Sequence, residues 1–147
     1  MLSTKNINTI YSGYNHECSK DNPVPVVQSA LIKSKNSFAF KYGVIEIRAK
    51  VPAGDWLWPT ISLLPKINAY GDWPRSGSID LMESRGNENL YETDGQNIGT
   101  EQFRYNLHYG NEGFSVYLNN RFLEQSPKGI GWNKRFHTYR MEWAPRK

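Results

Sequence analysis

Apolar and polar side chains alternate along several short stretches of this chain, which is the pattern of a half-buried β-strand. The clearest case is residues 43–51, where Ile45 and Ile47 fall on one face and Glu46 and Arg48 on the other. The same reasoning predicts further strands at 26–33, 37–42, 103–109, 114–118, 121–123 and 136–143. Many short strands separated by turn residues predict an all-β sandwich or barrel.

One predicted strand breaks this alternation. In residues 73–86, Ser78 and Asp80 share a face, because successive side chains of a strand point to opposite sides. Glu83 is out of step with them by one residue. A β-bulge inserts one residue and resets the alternation, and bulges are common beside active sites. A bulge near Leu81 and Met82 would therefore bring Ser78, Asp80 and Glu83 onto one face.

The polarity of the chain predicts how it is organised. Residues 1–25 are polar and predict a poorly ordered lead-in, and residues 26–147 form one domain or part of one. Within that domain, Asn119-Asn120 suits the two-residue loop of a hairpin. Residues 87–102 carry many polar side chains and predict a solvated loop, with the rim of a binding groove as the alternative.

Charge and composition argue against several classes of function. The formal net charge is +4, but the basic residues are scattered, which does not favour nucleic-acid binding. No apolar run approaches the ~18–20 residues that span a membrane, and residues 1–14 lack the apolar core of a signal peptide. Cys18 is the only cysteine, so it has no partner within the chain. His16, His108 and His137 lack metal-ligand spacing, and neither a metal nor another cofactor is predicted.

Aromatic residues are more abundant than a core of this size requires, with five Trp and nine Tyr. Flat aromatic rings stack well on the C–H faces of sugars. Trp56, Trp58 and Trp73 are the candidate platforms. The alternative for each tryptophan is that it has no role in sugar binding and is present because tryptophan favours β-strands. Because Trp56 and Trp58 alternate with Leu57, they share a face, and core packing is at least as good an interpretation for one of them.

Residues 73–86 resemble the active-site strand of the laminarinase-like glycoside hydrolases of family 16, whose pattern is Glu-x-Asp-x-x-Glu after Trp-Pro-x-Ser-Gly. Ser78 stands at the first Glu of that pattern, and Asp80 and Glu83 match the other two acids. The likeness extends to residues 40–43, 46–50, 54–59, 63–66 and 106–110. It implies a concanavalin A-like jelly-roll β-sandwich that is truncated at its C-terminus, since the family continues with further strands.

The resemblance also implies roles for these residues. Glu83 corresponds to the general acid/base, Asp80 to the residue that supports the nucleophile, and Ser78 to the nucleophile position itself. Serine there is similar to the non-catalytic β-1,3-glucan recognition proteins (Gram-negative-bacteria-binding proteins) of invertebrate innate immunity. A secreted pattern-recognition domain that binds β-1,3-glucan is therefore expected. Its substrate-binding residues would be Trp73, Trp58, Trp56, Arg85 and His108.

The chemistry explains why one substitution matters. A retaining glycosidase needs two carboxyl groups only ~5–5.5 Å apart, one to attack the sugar and one to transfer a proton. A hydroxyl such as that of Ser78 needs a base to activate it, and Asp80 is a weak candidate. Two further positions depart from the family, because Val44 replaces its usual Arg and Ser62 its usual Trp. Both departures predict weaker sugar binding.

Several alternatives stay open at the level of sequence. The chain could be an active endo-β-1,3-glucanase with an unusual nucleophile, or a degenerate remnant that binds no ligand. His108 could be a strand histidine with a local hydrogen bond, and Arg85 could form a salt bridge in a loop.

Overall fold

The computed structural model describes residues 9–12, 30–111 and 121–145, and these form eight β-strands without a helix. The predicted strand at 114–118 and the predicted hairpin loop at Asn119-Asn120 lie outside the described residues. No helix that could cross a membrane occurs in the described part of the chain. The strands are β1 (Thr9–Ser12), β2 (Ala30–Lys33), β3 (Gly43–Ala49), β4 (Thr60–Leu63), β5 (Ser78–Ser84), β6 (Gln102–His108), β7 (Arg121–Gln125) and β8 (His137–Trp143).

The chain divides into two compact units, of which the first comprises residues 1–41. In this unit β1 and β2 pair antiparallel, with Thr9 opposite Lys33. Strand β1 therefore falls within the predicted lead-in, and the domain boundaries stay a prediction. The predicted strand at 37–42 is wrong. Ser37 and Phe38 instead donate their backbone N–H groups to the carbonyl of Ser34, which forms a turn.

The second unit, residues 42–147, contains two antiparallel sheets. Strands β3 and β8 form one of them, with Ile47 opposite Tyr139. The other has four strands in the order β4-β5-β6-β7. The alternation predicted for β3 is confirmed, because Ile45 and Ile47 are half-buried while Glu46 is exposed. A salt bridge between Glu46 and Arg140 of β8, 3.0 Å long, lies on the exposed face.

A small apolar core joins the two sheets of this unit. Met82 on β5 is only 1% exposed and packs with Val51 and Tyr139. The ring of Phe103 on β6 meets those of Trp132 and Tyr139 edge to face, with centroids 4.6 and 5.8 Å away. Such aromatic pairs add to the burial of apolar area. The core therefore fixes the inner face of β5 and leaves its other face for polar side chains.

The predicted bulge in β5 is confirmed. Asp80 lies opposite Asn106 of β6, but the next pair in the register is Glu83 with Arg104, so β5 has one extra residue there. On the other side, Met82 pairs with Ile61 and Asp80 with Ser62, which leaves Leu81 as the extra residue. Met82 therefore faces the core, and the bulge resets the alternation for the residues that follow it.

Candidate functional site

The site is a row of polar side chains across two neighbouring strands of the four-stranded sheet. Ser78, Asp80 and Glu83 come from β5, and the register places His108 opposite Ser78 and Asn106 opposite Asp80. Side chains of neighbouring strands that share a face lie within contact distance of one another. We call these five residues the polar row.

Both carboxylate oxygens of Asp80 are occupied. Ser62 on β4 donates its hydroxyl to Oδ1 over 2.7 Å, and Nε2 of His108 lies 2.9 Å from Oδ2. The Asp80 side chain is 13% exposed, and hydrogen bonds to a carboxylate shielded from water are stronger than those at the surface. His108 is therefore a strand histidine that is hydrogen-bonded to a residue of the neighbouring strand. Ser62 replaces the tryptophan that is usual in the family, and on the sequence alone this replacement is only the loss of a stacking ring. In the structure the Ser62 hydroxyl holds Asp80 in place.

Ser78 lies at the end of the row beside Trp73. The indole Nε1 of Trp73 donates to the Ser78 hydroxyl oxygen over 3.1 Å, and the indole ring lies 5.5 Å from the His108 ring. Trp73 is nevertheless 53% exposed, so part of its ring is free to meet a ligand. Because Asp80 already bonds Ser62 and His108, it is poorly placed to deprotonate Ser78.

Glu83 occupies the other end of the row. Asn106 donates its side-chain amide to Oε2 of Glu83 over 2.9 Å. A shallow cleft beside it is lined by Trp58 and Arg85, together with Ile98 and Arg104. Arg85 donates Nη1 to the backbone carbonyl of Ile98 over 3.1 Å, so a side chain expected either to bind sugar or to form a salt bridge anchors a loop.

Two of the predicted aromatic platforms lie on the turn that precedes β4. Trp56 is 86% and Trp58 is 68% exposed, which rules out core packing for either. Gly86 positions this turn, because Gly54 donates its N–H to the Gly86 carbonyl and the Gly86 N–H donates to the carbonyl of Leu57, over 2.8 and 2.7 Å. The backbone of Trp56 is left-handed, with φ of 68°, a strained conformation typical of functional loops.

The structure adds one aromatic residue that the sequence analysis missed. Tyr70, three residues before Trp73, is 81% exposed. Its backbone N–H donates to the hydroxyl of Ser76, which in turn donates to the carbonyl of Gly71 over 2.5 Å. A tyrosine in a polar loop has no neighbouring alternation that would have singled it out.

The segment 87–101 is only partly the solvated loop that its polarity predicts. Asn97 and Thr100 are 4% and 5% exposed. Asn97 donates to the Glu88 carbonyl over 2.7 Å and accepts from the N–H of Gly99 over 2.8 Å. Buried polar side chains of this kind satisfy backbone groups, which a hydrophobic pattern does not reveal.

Three titratable groups outside the polar row have shifted pKa values. A hydrogen bond and the charge of Lys134 lower the pKa of Glu88, whose Oε1 lies 2.7 Å from the ammonium nitrogen. Burial, and secondarily the charge of Arg135, lowers the pKa of His137. Burial raises the pKa of Tyr139. Within the described residues no group of His, Cys, Asp and Glu side chains has the arrangement of a metal site.

The chain belongs to the glycosyl hydrolases of family 16, whose model matches residues 4–147. Its fold is the family's jelly-roll sandwich. The catalytic domain of the laminarinase from Thermotoga maritima matches 97% of this chain with a TM-score of 0.67 and 23% sequence identity, and the match covers 54% of that domain. The all-β jelly-roll prediction is therefore confirmed.

Among sequences, the chain is similar both to a binding protein and to an enzyme. It is 38% identical over 134 residues to a β-1,3-glucan-binding protein of Penaeus monodon, a match that covers 91% of this chain and 35% of that protein. It is 34% identical over 115 residues to glucan endo-1,3-β-glucosidase A1 of Niallia circulans, with 78% of this chain and 15% of that protein covered. The chain thus spans about a third of the first relative and less of the second.

Proposed function

We propose that this chain is the glucan-binding part of a non-catalytic, secreted member of family 16 that recognises β-1,3-glucan. The observation that carries the proposal is the state of the polar row. Ser78 stands at the nucleophile position and accepts a hydrogen bond from Trp73, while Asp80 bonds Ser62 and His108. Within the described part of the chain, the row has no unbonded carboxylate at that end to attack a sugar. Retaining hydrolysis fails when one member of the carboxylate pair is missing.

Binding a sugar does not require an attacking carboxylate, and the polar row with its neighbouring tryptophans retains the groups that binding requires. Carbohydrate sites combine aromatic surfaces with a few polar groups that fix orientation. Exposed Trp73 lies beside Ser78, and exposed Trp58 lines the cleft beside Glu83 and Arg85. We assign Trp73, Trp58 and Trp56 to stacking on the glucan, with His108 and Arg85 positioning groups in the wall. The similarity to the Penaeus monodon glucan-binding protein supports this assignment.

The test combines two assays on one preparation of folded protein. The protein should sediment with insoluble curdlan, and it should release no reducing sugar from laminarin. Trp73→Ala and Trp58→Ala should each weaken sedimentation, because each removes a stacking surface of about 1 kcal/mol or more. Folded protein that leaves curdlan unbound would contradict the proposal and favour a remnant without a ligand.

An enzyme with an altered nucleophile is the second candidate, and one observation favours it. Glu83 at the acid/base position is intact and positioned by Asn106, as an enzyme would require. The similarity to the glucanase of Niallia circulans points the same way. Hydrolysis of laminarin by the unaltered chain would establish this candidate. Hydrolysis that appears only in Ser78→Glu would support a groove that has lost just its nucleophile.

A further inference from the structure

We propose that a cleft on the core-facing side of the four-stranded sheet binds a free aromatic α-amino acid. Residues between 124 and 137 line this cleft, which has a volume of about 290 Å³. Pockets for small molecules typically begin at ~300 Å³, so a single amino acid is the size of ligand that fits. The inference goes beyond the proposed glucan site, because it concerns a different ligand and different residues. We call this site the β7 cleft.

The β7 cleft lies on the opposite face of the sheet from the polar row. Side chains alternate along β6, so Phe103 points away from the face that carries Asn106 and His108. Glu124 of β7 lies opposite Phe103 in the register and therefore shares its face. Trp132 lies there too, because its ring centroid is 4.6 Å from that of Phe103. A ligand in the β7 cleft therefore does not meet a glucan on the polar row.

The walls of the cleft are held by one residue, Glu101. Its backbone carbonyl accepts the N–H and the hydroxyl of Ser126 over 2.8 and 3.0 Å, and the indole N–H of Trp132 over 3.2 Å. Its side-chain Oε1 accepts the N–H of Gly129 over 2.8 Å. These four bonds fix the loop that follows β7 at both ends and in the middle. The cleft is therefore preformed, as small-molecule sites usually are.

The inner surface of the cleft is apolar and aromatic. The half-buried ring of Trp132 lies 4.7 Å from that of His137, and Pro127 and Ile130 line the cleft beside them. Burial lowers the pKa of His137, so its imidazole is neutral at neutral pH. Aromatic rings pack well against other rings in offset or edge-to-face arrangements. This surface therefore suits an aromatic side chain.

Two opposite charges complete the cleft. Glu124 and Arg135 both line it and are exposed, and neither has a salt bridge or a side-chain hydrogen bond among the described residues. A guanidinium binds a carboxylate through two parallel hydrogen bonds, and a carboxylate accepts strongly from an ammonium group. A free α-amino acid carries both groups beside its side chain, whereas a residue at either end of a peptide carries only one of them. We therefore assign the ligand's carboxylate to Arg135 and its ammonium group to Glu124.

The experiment is isothermal titration calorimetry of the unaltered chain at neutral pH with three probes. L-Phenylalanine carries both charges, N-acetyl-L-phenylalanine lacks the ammonium group, and phenethylamine lacks the carboxylate. L-Phenylalanine should bind, and each of the other two should bind about 10-fold or more weakly, the effect of one lost charge-assisted hydrogen bond.

Two variants test which residue meets which charge. Arg135→Gln should weaken L-phenylalanine by about 10-fold and leave phenethylamine unchanged, because that probe has no carboxylate. Glu124→Gln should weaken L-phenylalanine by a similar factor and leave N-acetyl-L-phenylalanine unchanged. The control is Lys128→Gln, which removes an exposed charge from the same loop without touching the cleft lining and should alter no affinity.

No binding of L-phenylalanine at millimolar concentration would overturn the inference. Equal affinities for the three probes would do so as well, and so would a loss in Lys128→Gln as large as that in Arg135→Gln. Sedimentation with curdlan is measured on the same preparations and should be unchanged in Arg135→Gln and Glu124→Gln, since the cleft lies on the other face of the sheet. Failure of the unaltered chain to sediment contradicts the glucan proposal alone.

Discussion

Asp80 and His108 face each other across β5 and β6, with Oδ2 and Nε2 2.9 Å apart, and Ser62 holds the other carboxylate oxygen. These two contacts give Asp80 a structural role. Its carboxylate is the centre of a hydrogen-bonded group that spans β4, β5 and β6. The two acids of the polar row therefore differ, because among the described residues Glu83 has a side-chain partner at one oxygen, Asn106, whereas Asp80 has partners at both.

The first prediction concerns this group. His108→Ala removes one of two partners from a largely buried carboxylate and should lower the free energy of unfolding by about 1–3 kcal/mol. Urea denaturation at neutral pH measures the change. His108→Gln is the matched control, because its amide can still donate to Asp80, and it should lose less. Equal losses in the two variants would show that the contact with Asp80 contributes little.

The second prediction concerns the turn that presents Trp56 and Trp58. A Cβ on Gly86 would lie 2.6 Å from the carbonyl oxygen of Gly54 and 2.8 Å from Cβ of Leu57. Gly86→Ala must therefore displace the turn, and overpacking of this kind costs about 1–3 kcal/mol. We expect both a lower melting temperature and several-fold weaker sedimentation with curdlan.

Gly95→Ala provides the comparison for that variant. Nothing lies within 4 Å of a Cβ there, although its φ of 85° disfavours alanine. It should lower stability slightly and leave glucan binding unchanged. If Gly86→Ala binds curdlan as well as the unaltered chain does, the turn does not present the tryptophans to the glucan.

The third prediction concerns acid stability. Burial and Arg135 lower the pKa of His137 below its ordinary value of 6.5, so the unfolded chain takes up this proton more readily than the folded chain does. The stability due to neutral His137 is fully present above pH 6.5 and is lost as the pH falls through the folded pKa. Melting temperatures should therefore fall as the pH is lowered below 6.5.

His137→Gln should show a smaller fall over the same interval, because glutamine does not titrate. Arg135→Gln, which removes only the secondary cause of the shift, should give an intermediate slope. Parallel curves for His137→Gln and the unaltered chain would contradict the assignment and place the acid-sensitive group elsewhere.

The fourth prediction concerns the core. Tyr139 is 5% exposed, and no hydrogen-bond partner for its hydroxyl is found among the described residues. A buried hydroxyl without a partner is destabilising. Tyr139→Phe should therefore raise the free energy of unfolding by about 1 kcal/mol while keeping the edge-to-face contact with Phe103. A loss of stability, measured in urea, would indicate a partner that the hydroxyl finds in solution.

The sequence predicted what depends on alternation. The strand faces of β3 and the bulge in β5 follow from counting residues, because the period of a strand is two. The bonds of Asp80 to Ser62 and His108 could not be predicted in this way. Ser62 lies in an apolar run interrupted by Pro59, and only the register between β4 and β5 brings it opposite Asp80. The buried Asn97 was missed because a polar side chain that satisfies the backbone looks like any loop residue.

Leu81 shows how differently this strand responds to the two common kinds of mutation. Replacing one side chain, as at Ser78, alters a single function and keeps every neighbour in place. Deleting Leu81 would instead remove the residue that is extra in both registers, and Asp80, Met82 and Glu83 would then alternate as in a regular strand. The pairing of β5 with β4 and β6 can therefore outlast the loss of the codon for residue 81, although the burial of the Leu81 side chain is lost with it.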